Sequence, residues 1–170
     1  EYFAMLRWAI RQEAKPIAIR VPSNGVVHTT EDVDEEYSYT PKYKVAHEGS
    51  QVAIIAAGSF YQKGENVAHL LAEKGIDATL INPRYLHAVD AEALESLKAR
   101  HQLVVTLEDG CKDGGFGERI ASYYGTSDMK VLVCGVKKNL YDRFDHQQLL
   151  ADNRLLANQI ADDILNIIKK

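Results

Sequence analysis

Apolar positions change period along this chain, and the changes mark its elements. Between Tyr2 and Gln12 they fall at Phe3, Leu6, Ala9 and Ile10, the spacing of one helical face. Pro16 closes that helix, and Ile17-Ala18-Ile19 reads as a short strand. Pro22-Ser23-Asn24-Gly25 is turn chemistry. Further on, Val52 to Ala57 is an unbroken apolar run ending at Gly58, as expected of a strand buried on both faces. From Gly64 to Lys74 a helical face carries Val67, Leu70 and Leu71, and Gly75 supplies its stop. Ala78 to Ile81 predicts the next strand, and Asp90 predicts the cap of a helix running to Arg100. Leu103 to Leu107 and Lys130 to Val136 predict two more strands, separated by a glycine-rich loop (Gly110 to Gly117) and a helix over Glu118 to Tyr124. From Leu149 to Lys170 the pattern predicts one long helix with Leu155, Leu156, Ile160, Ile164, Ile167 and Ile168 on its apolar face.

Strands alternating with helices of this length specify an α/β fold, a three-layer, mostly parallel sheet with helices on both faces. That organisation covers residues 45–170. A helix, a strand and a turn over residues 1–25 are too little for a domain and read as the last unit of a longer one. Between them, residues 26–44 carry the acidic cluster Glu31, Asp32, Asp34, Glu35 and Glu36, followed by Tyr37, Tyr39 and Tyr43. This is the composition of a solvated linker whose tyrosines pack on a neighbouring surface; its spacing does not match a calcium loop. The chain begins Glu1-Tyr2-Phe3 and enters a helix at once, so the expectation is a fragment of a longer polypeptide.

Composition narrows the function classes. A net charge of -4 with scattered Lys and Arg disfavours nucleic acid as a partner, because phosphate binding draws on clustered cations. No apolar run reaches the roughly 20 residues of a membrane span, and the expected location is cytoplasmic. Cys111 and Cys134 form no metal-ligand pattern and read as reduced thiols, Cys134 as inert core. Six histidines, His28, His47, His69, His87, His101 and His146, show no HxxxH or HxH spacing and read as surface or hydrogen-bonded structural groups. Ser59 follows Gly58 without the rest of a GxSxG elbow.

The loop Glu108 to Gly117 follows a strand and opens a helix, where α/β folds place ligands. Gly115, Gly117 and Ile120 give GxGxxI rather than GxGxxG, so the reading is a tight turn, Gly114-Gly115-Phe116-Gly117, packed against another subunit or domain. Arg20, at the carboxyl end of the first expected strand, is a candidate for an anionic substrate group or for a salt bridge within its own domain.

Several stretches together resemble the 1-deoxy-D-xylulose-5-phosphate synthase family of the transketolase superfamily. Met5 to Ile10 and Pro16 to Pro22 resemble the last helix and strand of the family's pyrimidine-binding domain. His47-Glu48-Gly49 with Val52 to Gly58 resembles the opening of its transketolase C-terminal domain. Ile81 to Leu86 with Val89-Asp90, the run His101 to Asp109, Gly114 to Gly117, and Phe144-Asp145-His146 with Leu149-Leu150 resemble further family segments in the same order. Transketolase and the β subunits of 2-oxoacid dehydrogenases share this domain, so an enzyme of another branch is the alternative, as is a free-standing binding module.

The resemblance implies a homodimeric enzyme that condenses pyruvate with glyceraldehyde 3-phosphate, using thiamine diphosphate and Mg²⁺. It implies that the GDG…N metal motif and the cofactor-activating Glu lie in other domains of the same polypeptide, leaving no catalytic, cofactor-binding or metal residue here. This region would then support dimerisation and be inactive alone. Two positions depart from the family pattern: Ser23 stands where an Arg for the substrate phosphate is usual, and Gln147 where Gly often follows His.

Overall fold

The computed structural model describes residues 1–21, 25, 34 and 36–169. The expected turn at Pro22-Ser23-Asn24 and the acidic residues Glu31, Asp32 and Glu35 lie outside the described residues. The chain divides into two compact units, Glu1–Thr40 and Pro41–Lys170.

In the first unit, helix α1 spans Tyr2–Ala9. Ala4 is buried while Phe3, Leu6 and Ile10 are exposed. Trp8 meets the rings of Tyr37 (6.4 Å) and Tyr39 (5.3 Å), and Arg11 lies 4.0 Å from Glu36. The expected strand at Ile17-Ala18-Ile19 does not form. Ile17 and Ile19 are β-branched and favour extended backbone, but a strand exists only where a neighbour completes its ladder, and none of the described residues pairs with this segment.

The second unit is built on a five-stranded sheet in the order β1-β3-β2-β4-β5. The strands are β1 (Lys44–His47), β2 (Gln51–Ala56), β3 (Thr79–Asn82), β4 (His101–Cys111) and β5 (Lys130–Val136). All neighbours are parallel except β1, which runs antiparallel on β3. The β2 and β4 runs are apolar at nearly every position because both faces are covered. Val52, Ile54, Leu103, Val105 and Leu107 face α2 (Tyr61–Ala72) and α6 (Ala157–Ile168). Ala53, Ile55 and Val104 face α3 (Ala91–Leu97) and α4 (Phe116–Tyr124).

β1 is an element the pattern does not announce: four residues, mostly exposed, on the sheet edge. The connector from β1 to β2 is three residues long, yet β3 lies between those strands. Residues 48–50 therefore step across the amino end of β3. A side chain at Gly49 would run into the carbonyl of Asp77, so the crossing requires glycine.

Two helices end in the same hydrogen-bond motif. At α2, Gly75 takes φ +80°, with its N–H donating to Ala72 O and the N–H of Ile76 to Leu71 O, the paired bonds of a Schellman turn. The second case overturns the expected single helix over residues 149–170. Arg154 takes φ +57°, and the N–H groups of Arg154 and Leu155 close the same bonds on Ala151 O and Leu150 O. The segment is therefore two helices, α5 (His146–Asp152) and α6. Asp163 holds the Arg154 guanidinium in a fork, at 2.9 Å to Nε and 2.6 Å to Nη2. That pairing fixes a backbone conformation an L residue resists.

Candidate functional site: the carboxyl end of the sheet

β2 and β4 are adjacent and parallel, but the helices that follow them leave to opposite faces, α2 to one and α4 to the other. In open α/β sheets this divergence opens a crevice at the carboxyl ends of the strands, where ligands bind. Here the chain's own side chains occupy that end. A 3₁₀ turn at Gly58–Phe60 follows β2, and Ser59 Oγ donates to Asp109 Oδ2 across the gap at 2.8 Å.

The glycine-rich segment is shorter than its sequence suggests, because β4 continues through Gly110 to Cys111 on β5. What remains is a turn at residues 112–115, and then α4. Free N–H groups at a helix start attract anions, and at α4 the anion is internal. The carboxylate of Glu108, only 6% exposed, accepts from the backbone N–H of Phe116 (3.0 Å) and of Gly117 (2.9 Å). Glu118 accepts from the N–H of Gly114 at 2.7 Å, where the backbone has φ +74°.

This clasp explains the glycine pattern. A Cβ on Gly115 would lie 2.6 Å from both Glu108 oxygens, and one on Gly117 would meet Thr106 Oγ1 and, at 2.5 Å, Val133 Cγ1. Gly135 makes room from the β5 side, where a Cβ would come 3.2 Å from Glu108 Cγ. The GxG spacing thus seats a buried carboxylate. Phe116 is itself core, 5% exposed and edge-on to Tyr43 at 6.4 Å. Of the four residues expected to face a partner, Phe116 and Gly117 are buried within the unit, Gly115 is half-buried and Gly114 is exposed.

Other residues singled out in the sequence also have local roles. Asp90 caps α3 by accepting from Ala93 N–H at 3.0 Å, and its second oxygen takes the N–H of Tyr43 at 2.9 Å. Asn82 Oδ1 accepts from Arg84 N–H at 3.1 Å, closing the turn after β3. Cys134 is buried and its thiol is pushed up to about 12 by desolvation, the environment of an inert core cysteine. Cys111 is exposed. Arg20 is exposed and belongs to the first unit, whereas the glycine turn belongs to the second.

The residue that organises this end of the sheet, Glu108, is marked in the sequence as an ionisable residue inside an apolar strand, a few positions ahead of a GxG helix start.

The described residues do not fit a diphosphate with its Mg²⁺. The helix start suited to a phosphate at the crevice is filled by Glu108, and among the described residues no three His, Cys, Asp or Glu side chains group as a metal site. No described helix is long and apolar enough to cross a membrane.

A mostly parallel sheet with one antiparallel edge, covered by helices on both faces and closed at its carboxyl end by its own carboxylate, defines a three-layer α/β domain. The chain belongs to the family "Transketolase, C-terminal domain", whose signature matches residues 41–160. Among curated proteins it is 35% identical over 157 residues to the 1-deoxy-D-xylulose-5-phosphate synthase of Rippkaea orientalis, covering 89% of this chain and 24% of that protein. It is 30% identical over 169 residues to that of Alkaliphilus oremlandii, covering 96% of this chain and 26% of that protein. Against that of Clostridium botulinum it is 36% identical over 125 residues, covering 74% and 20%. The chain thus spans about a quarter of the length of these relatives. A solved structure described as a split-gene transketolase, an inactive β4 tetramer, superposes with a TM-score of 0.69 at 25% identity, covering 84% of this chain and 45% of that one.

Proposed function

We propose that this chain is the C-terminal region of a thiamine-diphosphate-dependent 1-deoxy-D-xylulose-5-phosphate synthase. In that enzyme pyruvate and glyceraldehyde 3-phosphate yield 1-deoxy-D-xylulose 5-phosphate and CO₂. The carrying observation is the 30–36% identity to synthases of that name, extending in one case over 96% of this chain. Residues 1–25 belong to the end of the pyrimidine-binding domain, 26–44 are linker, and 45–170 are the C-terminal domain.

In this reading the region holds a cytoplasmic homodimer together and shapes the entrance to the active site, with Gly114 and Gly115 at the partner-facing turn and Arg20 toward an anionic substrate. The thiamine diphosphate and Mg²⁺ are carried by other domains of the polypeptide. The closed Glu108 clasp supports a packing role, and so does the neighbour described as an inactive β4 tetramer. That neighbour is a transketolase, which makes transfer from a ketose donor the second reading.

The test replaces the last quarter of the Rippkaea orientalis synthase with this chain. Turnover of pyruvate and glyceraldehyde 3-phosphate by the dimeric chimera, with none by the chain alone, is expected. A chimera that assembles but works only with ketose donors would favour the second reading. Pyruvate consumption by the isolated chain would overturn both.

A further inference from the structure

The connector over β3 is pinned by a buried relay away from the carboxyl end. Gly49 N–H donates to Thr79 Oγ1 at 2.8 Å, Thr79 Oγ1 lies 2.8 Å from His101 Nε2, and His101 Nδ1 lies 2.9 Å from Leu97 O. Leu97 O only accepts, so Nδ1 carries hydrogen. In the neutral ring Nε2 then accepts, the Thr79 hydroxyl donates to it, and the Thr79 oxygen is left to receive Gly49. Every polar atom is satisfied in one direction.

A second proton reverses that direction. An Nε2–H would donate to the Thr79 oxygen, which can still accept from Gly49 through its second lone pair, but the Thr79 hydroxyl hydrogen would lose its acceptor. Thr79 is 3% and His101 9% exposed, so water cannot readily take its place, and an orphaned buried donor is costly. The titratable and charged groups around the relay come from each adjoining segment. Arg100, next in sequence, pairs with Glu48 of the connector at 3.3 Å, and His47 at the end of β1 pairs with Asp77 before β3 at 2.6 Å.

We infer that His101 is the proton-sensing element of a latch on residues 47–51: closed when the ring is neutral, and opened when it is protonated, as the stranded Thr79 hydroxyl turns toward another acceptor and carries its oxygen away from Gly49. Burial foremost, and the neighbouring Arg100, hold the imidazole below its ordinary value, against the pull of the Leu97 carbonyl. The latch is therefore shut at neutral pH and opens in mild acid. Ser50 N–H on Asp77 O and Gln51 N–H on Arg100 O keep the connector attached at its other residues, so the opening is local.

Nuclear magnetic resonance on the full 170-residue chain tests this. The expected results are an Nδ1–H tautomer for His101 at pH 7.5, a midpoint below about 6.5, and a Gly49 amide protection factor that falls about tenfold per pH unit below that midpoint. The Val105 amide in the central strand should keep its protection. His101→Gln removes the pH dependence at Gly49, and Thr79→Val leaves Gly49 unprotected at every pH. An Nε2–H tautomer, loss of protection at Gly49 and Val105 together, or constant Gly49 protection through the His101 titration would each overturn the latch.

Discussion

Glu108 and Gly117 need each other. Glu108 Oε1 accepts the Gly117 N–H at 2.9 Å, and a Cβ on Gly117 would come within 3.2 Å of that same oxygen. The glycine gives the carboxylate a donor and the space to reach it. Together with the Phe116 N–H, this satisfies two of the donors that every helix start leaves open.

Glu108→Ala should therefore cost more than its lost methylenes. It leaves two buried N–H groups without acceptors and a void at the start of α4, and a loss of about 2–4 kcal/mol is expected. Glu108→Gln keeps the shape and one oxygen and should lose about half as much. Urea unfolding of both variants measures the order; equal midpoints for the Ala variant and the wild type would contradict the clasp.

The two ends of α4 should answer oppositely to the same change. Gly117→Ala drives a methyl into Thr106 and Val133 and should destabilise by about 1–3 kcal/mol. Gly125, at φ -56°, has its nearest neighbour to a Cβ at 3.4 Å. Gly125→Ala should be neutral or raise stability by about 0.4–1 kcal/mol through the unfolded state. Thermal midpoints of the two single variants decide it.

Among the buried polar atoms of the second unit without a hydrogen-bond partner are Thr106 Oγ1 beneath α4 and Lys63 Nζ, which sits 4.0 Å from the centre of the Phe60 ring. Burial lowers the Lys63 amine from its ordinary value. Thr106→Val removes an unpaired hydroxyl at nearly constant shape and should stabilise by about 1 kcal/mol. Lys63→Met keeps the stem and removes the charge, and it too should raise the urea midpoint. A fall in both midpoints would mean that these groups are satisfied in solution.

Stability should fall at both ends of the pH range, for opposite reasons. His101 is depressed in the folded state, so its contribution is complete above about 6.5 and shrinks as pH drops toward the folded value, by at most about 1.4 kcal/mol per pH unit. Cys134 and Tyr43 are both pushed up to about 12 by burial. Their contributions are complete below their unfolded values, about 8.5 and 10, and shrink as pH rises past them. Denaturation from pH 4.5 to 11 should give a plateau near neutrality; Cys134→Ala should flatten the first part of the alkaline limb.

What could be read from the sequence follows from where the information lies. β2, β4 and β5 are covered on both faces, and each announces itself as a local apolar run. Gly75 and Asp90 announce a helix stop and a helix cap because their side-chain chemistry acts within a few residues. β1 is short and mostly exposed, and it exists only because β3 pairs with it; Ile17 to Ile19 have a strand's composition but no partner strand among the described residues. The break at Arg154 is made by a left-handed residue that is not glycine, paired with Asp163 nine positions away, and no residue type marks it. Likewise, Glu108 and Gly117 were both visible, but their contact depends on how β4 turns into α4.

The three-residue bridge over the start of β3 also constrains where β1 can pair. β1 is made before β3, yet its hydrogen-bonding partner is β3, and the bridge is too short to let β1 dock anywhere else on β2's side of the sheet. With β3 between them, β1 and β2 can be joined by so short a bridge only across the amino end of β3. β1 covers the outer ladder of β3 and leaves as the rim of the sheet a strand of only four residues, the kind of short edge that discourages pairing with another chain.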